Sequence, residues 1–526
     1  MDEVIENSSA KTCQIRVLIV ADGDIHFKPR DDGFSLTEFV AALEESVRPW
    51  EQLSITKAVR DQADRDDCTP IKGFIFNNKS FNIDLYDEVW LFGQVDEENE
   101  AAVLSESEKR CLYDFMNQGG GVFATGDHES LGFPLCGSVP RVLSMRKWQF
   151  KNAPAELKAP GREDLTRIDT LRMGVTSGFQ LTDQTDVVPQ EIRPKFYGNA
   201  GGASYPHPIL ADRDFAITVM PDHMHEGECT LPKDLTRAFS FDGGESVDEY
   251  PRWPNTDEHS RPDTVAISTS GGGALTEDGR IFPPVEPKSF FAIVAYDGHL
   301  VEDPNANGAG ARLGRVVVDS SFHHFLDLNL KGFKVDGVPT PDYLAFKKYY
   351  RNTVSWLYPA QRKFDYYMSL LLQVRFSGAM MAELTTKPTF SLEQILRAGY
   401  LSQRAITAAL SSGEAIVCAL AMLMNLPLDR RAEIEQLINP WLPLPLKVIT
   451  ANPILNSDFF VNLILGIAIL NISSALPTDK FAAADALRET KLLEEEIWPR
   501  IAESVETKLV GLLDVVRLSQ QLLANF

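Results

Sequence analysis

Gly119-Gly120-Gly121-Val122-Phe123-Ala124-Thr125-Gly126-Asp127-His128 reads as a helix stop, a short buried strand and a sharp glycine turn. The turn pushes an acid and an imidazole out of the strand's carboxyl end. In an open α/β sheet, ligands bind in the crevice outside those ends, so a polar pair here stands where chemistry is done.

The flanking sequence supplies the rest of such a sheet. Ser105-Glu106-Ser107-Glu108 has capping-box spacing, and the helix it opens would bury Cys111, Leu112, Phe115 and Met116 before Gly119 ends it. Upstream, Gln14 to Ala21, Leu53 to Val59 and Tyr86 to Gly93 read as strands, and Ser35 to Val47 as an amphipathic helix with Phe39, Leu43 and Val47 on one face. The first of these strands runs into a second polar cluster, Asp22-Gly23-Asp24-Ile25-His26. Strand alternating with helix predicts an α/β fold, a parallel sheet with helices on both faces.

Residues 1–13 read as a flexible N-terminus and 14–360 as the α/β domain, with long insertions over about 135–262 that are rich in Pro, Gly and Asp. Strand-like runs return at Thr264 to Ser268, Phe290 to Tyr296 and Arg315 to Asp319, and a helix near Tyr349 to Pro359 closes the domain. After Arg362 strand signals vanish. Residues 361–526 are predicted to form an all-α C-terminal domain, with helices at Gly413 to Asn425, Asp429 to Leu437, Asp458 to Ile472, Lys480 to Ile497 and Arg500 to Asn525. Phe390-Ser391-Leu392-Glu393-Gln394-Ile395 carries a capping box and a hydrophobic staple, which start another.

A net charge of −23 repels phosphate backbones, and no basic patch offsets it, so nucleic acid is excluded as a partner. Phe459 to Ile472 is shorter than the roughly 20 residues a bilayer needs, and the acidic start lacks a signal's basic and apolar regions. Six cysteines without a CxxC pair fit reduced thiols. These features predict a cytoplasmic protein with no membrane contact. The glycine-rich Ser270-Gly271-Gly272-Gly273 and Asn307-Gly308-Ala309-Gly310 lack the phosphate-loop Lys, so no nucleotide cofactor is expected.

All nine histidines precede residue 325. Three clusters put imidazole beside carboxylate: Gly126-Asp127-His128-Glu129, Asp222-His223-Met224-His225-Glu226 and His323-His324-Phe325-Leu326-Asp327. If they converge above one sheet, two chemistries are open. Asp127, His128, His323 and Glu226 would transfer protons, or His128, His223, His225, His324 and Asp327 would hold a divalent Zn, Mn or Fe that activates water. A third reading makes them satisfied structural histidines. His323 and His324 are adjacent, so on a strand they would face opposite ways.

The order of Tyr86-Asp87-Glu88-Val89-Trp90-Leu91-Phe92, the capped helix, Gly119-Gly120-Gly121-Val122-Phe123 and His128 resembles the ThuA-like family, named for trehalose utilisation, in the class I glutamine amidotransferase-like superfamily. His207-Pro208-Ile209-Leu210 looks like that family's His-Pro segment. Gly314-Arg315-Val316-Val317-Val318, followed by Phe322-His323-His324, looks like its closing strand and Gly-His. The resemblance covers about residues 14–330. It implies a flavodoxin-like sheet, a pocket shared by the strand ends and a role in sugar metabolism. Where an amidotransferase carries its nucleophilic Cys, this chain has Thr125-Gly126-Asp127, and Cys136 lies too far along to replace it, so thiolate glutamine hydrolysis is not expected.

The sequence therefore predicts a hydrolase or lyase acting on a small polar, sugar-like molecule. The rival is a non-catalytic amidotransferase-like sensor or scaffold, whose helical domain mediates oligomerisation or partner binding, as in a bacterial defence system.

Overall fold

The computed structural model describes residues 13–47, 51–61, 70–96, 102–127, 130–148, 157–158, 167–168, 189–198, 204–212, 216–221, 227–241, 246–253, 257–272, 288–301, 312–377, 391–409, 457–476 and 493–524, with a few single residues between 380 and 422. The predicted helices at Asp429 to Leu437 and over most of Lys480 to Ile497, the staple residue Phe390, and Asn307 to Gly310 lie outside the described residues.

Five parallel strands make one half of a large mixed sheet: β1 (Cys13–Ala21), β2 (Glu51–Val59), β3 (Glu88–Phe92), β4 (Gly121–Thr125) and, much later in the chain, β9 (Val316–Asp319). Their spatial order is β2-β1-β3-β4-β9. Pairing Trp90 with Phe123 and Ala124 with Val318 fixes the register, so the ends of β3, β4 and β9 reach one edge together. Side chains alternate between two cores. Ile19, Trp90, Phe123 and Val317 share one with Phe39 of α1 (Thr37–Glu45). Val20, Leu91, Ala124 and Val318 share the other with Leu112 and Met116 of α2 (Glu106–Asn117). Phe39 anchors its side edge-on to Phe325 and Tyr350, with ring centroids 5.2 and 5.0 Å away.

The other half of the sheet is antiparallel, a correction to the all-parallel expectation. β9 pairs antiparallel with β8 (Lys288–Tyr296), which pairs with β7 (Asp263–Gly272). Two strands from the stretch expected to be irregular, β5 (Gln190–Pro194) and β6 (Val219–Met220), complete the order β9-β8-β7-β5-β6. A strand buried on both faces shows the same apolar run in either direction, so polarity is not written in Phe290 to Tyr296.

The three opening glycines serve three separate ends. Gly119 takes φ +98° as the helix stop, Gly120 lies under the Phe115 ring, and Gly121 abuts the Leu357 carbonyl, where a Cβ would collide. The Ser105–Glu108 capping box is present.

Helix α3 (Pro341–Leu357) begins earlier than predicted, because Thr340 caps it and Pro341 supplies its first turn. Beyond it run α4 (Ala360–Arg375), α5 (Leu392–Ala409), α6 (Ser457–Ala475) and α7 (Trp498–Ala524). The predicted Ser391–Gln394 box opens α5. Gly399 and Gly466 let α5 and α6 touch backbone to backbone at the Asn462 and Ile395 carbonyls. No helix among the described residues is long and apolar enough to cross a membrane.

Candidate functional site

At the end of β4 the chain turns sharply. Asp127 donates its backbone N–H to the Leu131 carbonyl, 3.0 Å, and a Cβ on Gly126 would collide with that same carbonyl. The turn leaves the Asp127 side chain fully buried at the sheet edge. After β9, Ser321 accepts the N–H of His323 at 3.0 Å and so opens the tight turn Phe322–Phe325. Phe322 donates its N–H to the Gly126 carbonyl at 3.0 Å, locking the two strand-end turns together.

Those turns bring an acid and an imidazole into contact. His323 Nε2 lies 3.2 Å from Asp127 Oδ2, with the two side chains 4% and 0% exposed. The other ring nitrogen, Nδ1, is 3.0 Å from Asn329 Oδ1. Phe322 and Phe34 flank the ring, so it has little freedom to turn.

His324 leads elsewhere. Its Nδ1 meets Asp319 Oδ1 at 2.6 Å and its Nε2 meets Gln190 Oε1 at 3.2 Å. Tyr349 donates its hydroxyl to the second Asp319 oxygen at 2.6 Å. Burial, then the Asp319 charge, hold that phenol well above its ordinary pKa, so it stays a donor. Gln190 passes its amide N–H to Ser268, which donates to the Glu191 carbonyl. This chain stitches the parallel half of the sheet to the antiparallel half. The adjacent histidines do serve different partners, although on a tight turn and not a strand.

Asp327 is engaged as a remote helix cap. Its oxygens accept from the Ser35 hydroxyl at 2.5 Å and the Glu38 N–H at 2.7 Å, which caps α1 from a distant part of the chain. Burial raises its pKa despite these bonds. Among the described residues no group of three or more His, Cys, Asp or Glu could hold a metal ion. His128, His223, His225 and Glu226 lie outside the described residues. Gly227, next in sequence after Glu226, sits on the site: its missing Cβ would stand 3.0 Å from the Asp127 carbonyl carbon and collide with the Ser320 carbonyl.

Sequence reasoning missed Asn329, Gln190, Tyr349 and above all Arg146. The fully buried Arg146 donates from Nη1 to the Asp319 carbonyl at 2.8 Å, and from Nη2 to those of Asp127 and Ser320 at 2.7 Å each. At the end of β1, Asp22 accepts the backbone N–H groups of Gln94 and Val95 at 2.5 and 3.1 Å, tying β1 to the loop after β3.

Cys136 is buried with its thiol 3.2 Å from the Thr125 carbonyl, and Cys229 lies against the Ala292 and Val318 carbonyls. Burial pushes both thiols far up, so neither is a ready nucleophile. His207 caps the short turn Pro208–Leu210, and its ring lies tilted against Trp356, with centroids 5.0 Å apart. No family model matches the chain, and no curated protein matches it.

Proposed function

We propose that the chain is an enzyme of hydrolase or lyase type, acting on a small polar substrate by proton transfer at the Asp127–His323 pair. The observation that carries this reading is the 3.2 Å contact between the two at adjoining parallel strand ends. His323 Nδ1 lies beside the Asn329 side-chain oxygen Oδ1, which leaves Nε2 facing the Asp127 carboxylate, an acid and a base of the kinds used in general catalysis. A divalent Zn, Mn or Fe would draw on His128, His223 and His225 and would supply an activated water.

The strand order β2-β1-β3-β4-β9 is the order of a flavodoxin-like sheet, and it supports reading residues 14–330 as a ThuA-like, amidotransferase-like domain with a sugar-like substrate. The burial of the pair favours a second reading, an amidotransferase-like sensor or scaffold that has closed its strand-end crevice and works through its helical region.

The test is release of nitrophenol from a panel of nitrophenyl glycosides, esters and phosphates. Turnover by the wild type that drops about 10²-fold or more in Asp127→Asn supports the enzyme. No turnover by the wild type favours the scaffold, and equal turnover by the variant overturns the assignment of Asp127.

A further inference from the structure

We propose that Arg146 is the positioning residue of the Asp127–His323 pair, a single guanidinium that holds the carboxyl ends of β4 and β9 at the spacing the pair requires. The inference rests on reading that strand edge as the working site.

Backbone carbonyls at a strand's carboxyl end have no further ladder partner and need donors from elsewhere. Here three of them, from Asp127, Asp319 and Ser320, converge on one side chain at 2.7 to 2.8 Å. Asp127 supplies the acid itself. Asp319 and Ser320 begin the turn that delivers His323. Moving the guanidinium therefore moves both members of the pair.

Arg146 is itself fixed from the far side. Its Cζ lies 5.2 Å from the Trp148 ring centroid. Its backbone neighbours are laced to the 227–230 segment through Lys147 N–H to the Glu228 carbonyl, 2.9 Å, and Thr230 N–H to the Met145 carbonyl, 2.8 Å. Cys229 in turn donates its N–H to the Phe291 carbonyl of β8 at 3.0 Å. The clamp thus has a rigid mount. One glycine leaves it room: a Cβ on Gly227 would collide with Arg146 Nη2 and the Ser320 carbonyl.

A lysine keeps the charge but loses the planar fork that reaches three oxygens at once. Arg146→Lys tests the fork. Gly227→Ala displaces it while leaving the arginine in place. Leu112→Ala, in the core that α2 shares with this face of the sheet, controls for general loosening. The full chain, labelled with ¹⁵N-histidine, is observed by NMR at one fixed pH, and His323→Gln identifies the His323 ring signals by their loss.

Both clamp variants are expected to displace the His323 ring nitrogens from their wild-type positions, and Leu112→Ala to leave them unchanged. If Arg146→Lys does not fold, Gly227→Ala decides alone. Ring signals that stay at the wild-type positions in the folded clamp variants would overturn the proposal. On a substrate from the nitrophenyl panel, Arg146→Lys should lower kcat about 10²-fold with KM little changed. Displaced signals in a chain with no turnover would sink the enzyme reading and leave the clamp standing; unchanged signals in an active chain would do the reverse.

Discussion

Asp127 and His323 stand far apart in sequence, yet Oδ2 of the one and Nε2 of the other are 3.2 Å apart, because β4 and β9 are parallel neighbours in register. Neither side chain reaches the other without the parallel crossover that brings β9 back beside β4.

The pair's support is separable from its chemistry. Asp127→Asn keeps the shape of the turn made by the Asp127 N–H and the Leu131 carbonyl. It should therefore leave the unfolding temperature within a few degrees of wild type, read by circular dichroism, while abolishing proton exchange with the imidazole. A collapse of the fold would mean the acid is there for architecture.

Asp327 gives the opposite expectation. As the remote cap of α1, it should cost about 1 kcal/mol when replaced by Ala, measured by urea unfolding. No loss would show that Ser35 and water satisfy the α1 N–H groups unaided.

The pH dependence of stability divides by sign. Burial raises the carboxyl pKa of Asp327 and of Glu249 above the usual values. The folded state then binds more protons than the unfolded one, so their contribution is present below the unfolded pKa and is lost as pH rises through the folded value. Burial also pushes Glu108 up, but the Arg60 bond and charge win and hold it low, so its contribution is lost as pH falls. Asp327→Asn and Glu249→Gln should flatten the stability decline on the rising side, and Glu108→Gln the decline on the acid side. Unfolding curves with the same pH slope in all three would contradict these directions.

Thiol reactivity offers a further check. Burial pushes the Cys111 thiol up to about 11 and the Cys136 and Cys229 thiols higher still. Ellman's reagent at neutral pH should leave these three unmodified in the native chain and modify them in urea. Rapid native labelling of Cys136 would reopen thiolate chemistry at the strand edge.

Much of this was legible in the residues, and the illegible part has a physical reason. The Gly119–Gly121 stop, the Ser105–Glu108 box and the apolar cores of β1, β3 and β4 are local signals, and local signals survive in a linear reading. The direction of β8 was not legible, since burial on both faces erases the alternation that marks an antiparallel strand. The clusters at Asp127 and at His323 stood out, but their pairing is a property of register. Residue type does not reveal that Ser35 and Glu38 engage Asp327, or that Asp319 and Gln190 engage His324. Arg146 carries no periodic pattern, so nothing in Met145-Arg146-Lys147-Trp148 announces a buried clamp.

The central claim is that Asp127 and His323 work as a unit, and a double-mutant comparison tests it most directly. On whichever nitrophenyl substrate the wild type turns over, Asp127→Asn and His323→Gln should each lower kcat by about 10²–10⁴-fold, and the double variant should fall little further than the worse single one. Single losses that multiply in the double variant, or a single variant that keeps full turnover, would contradict it.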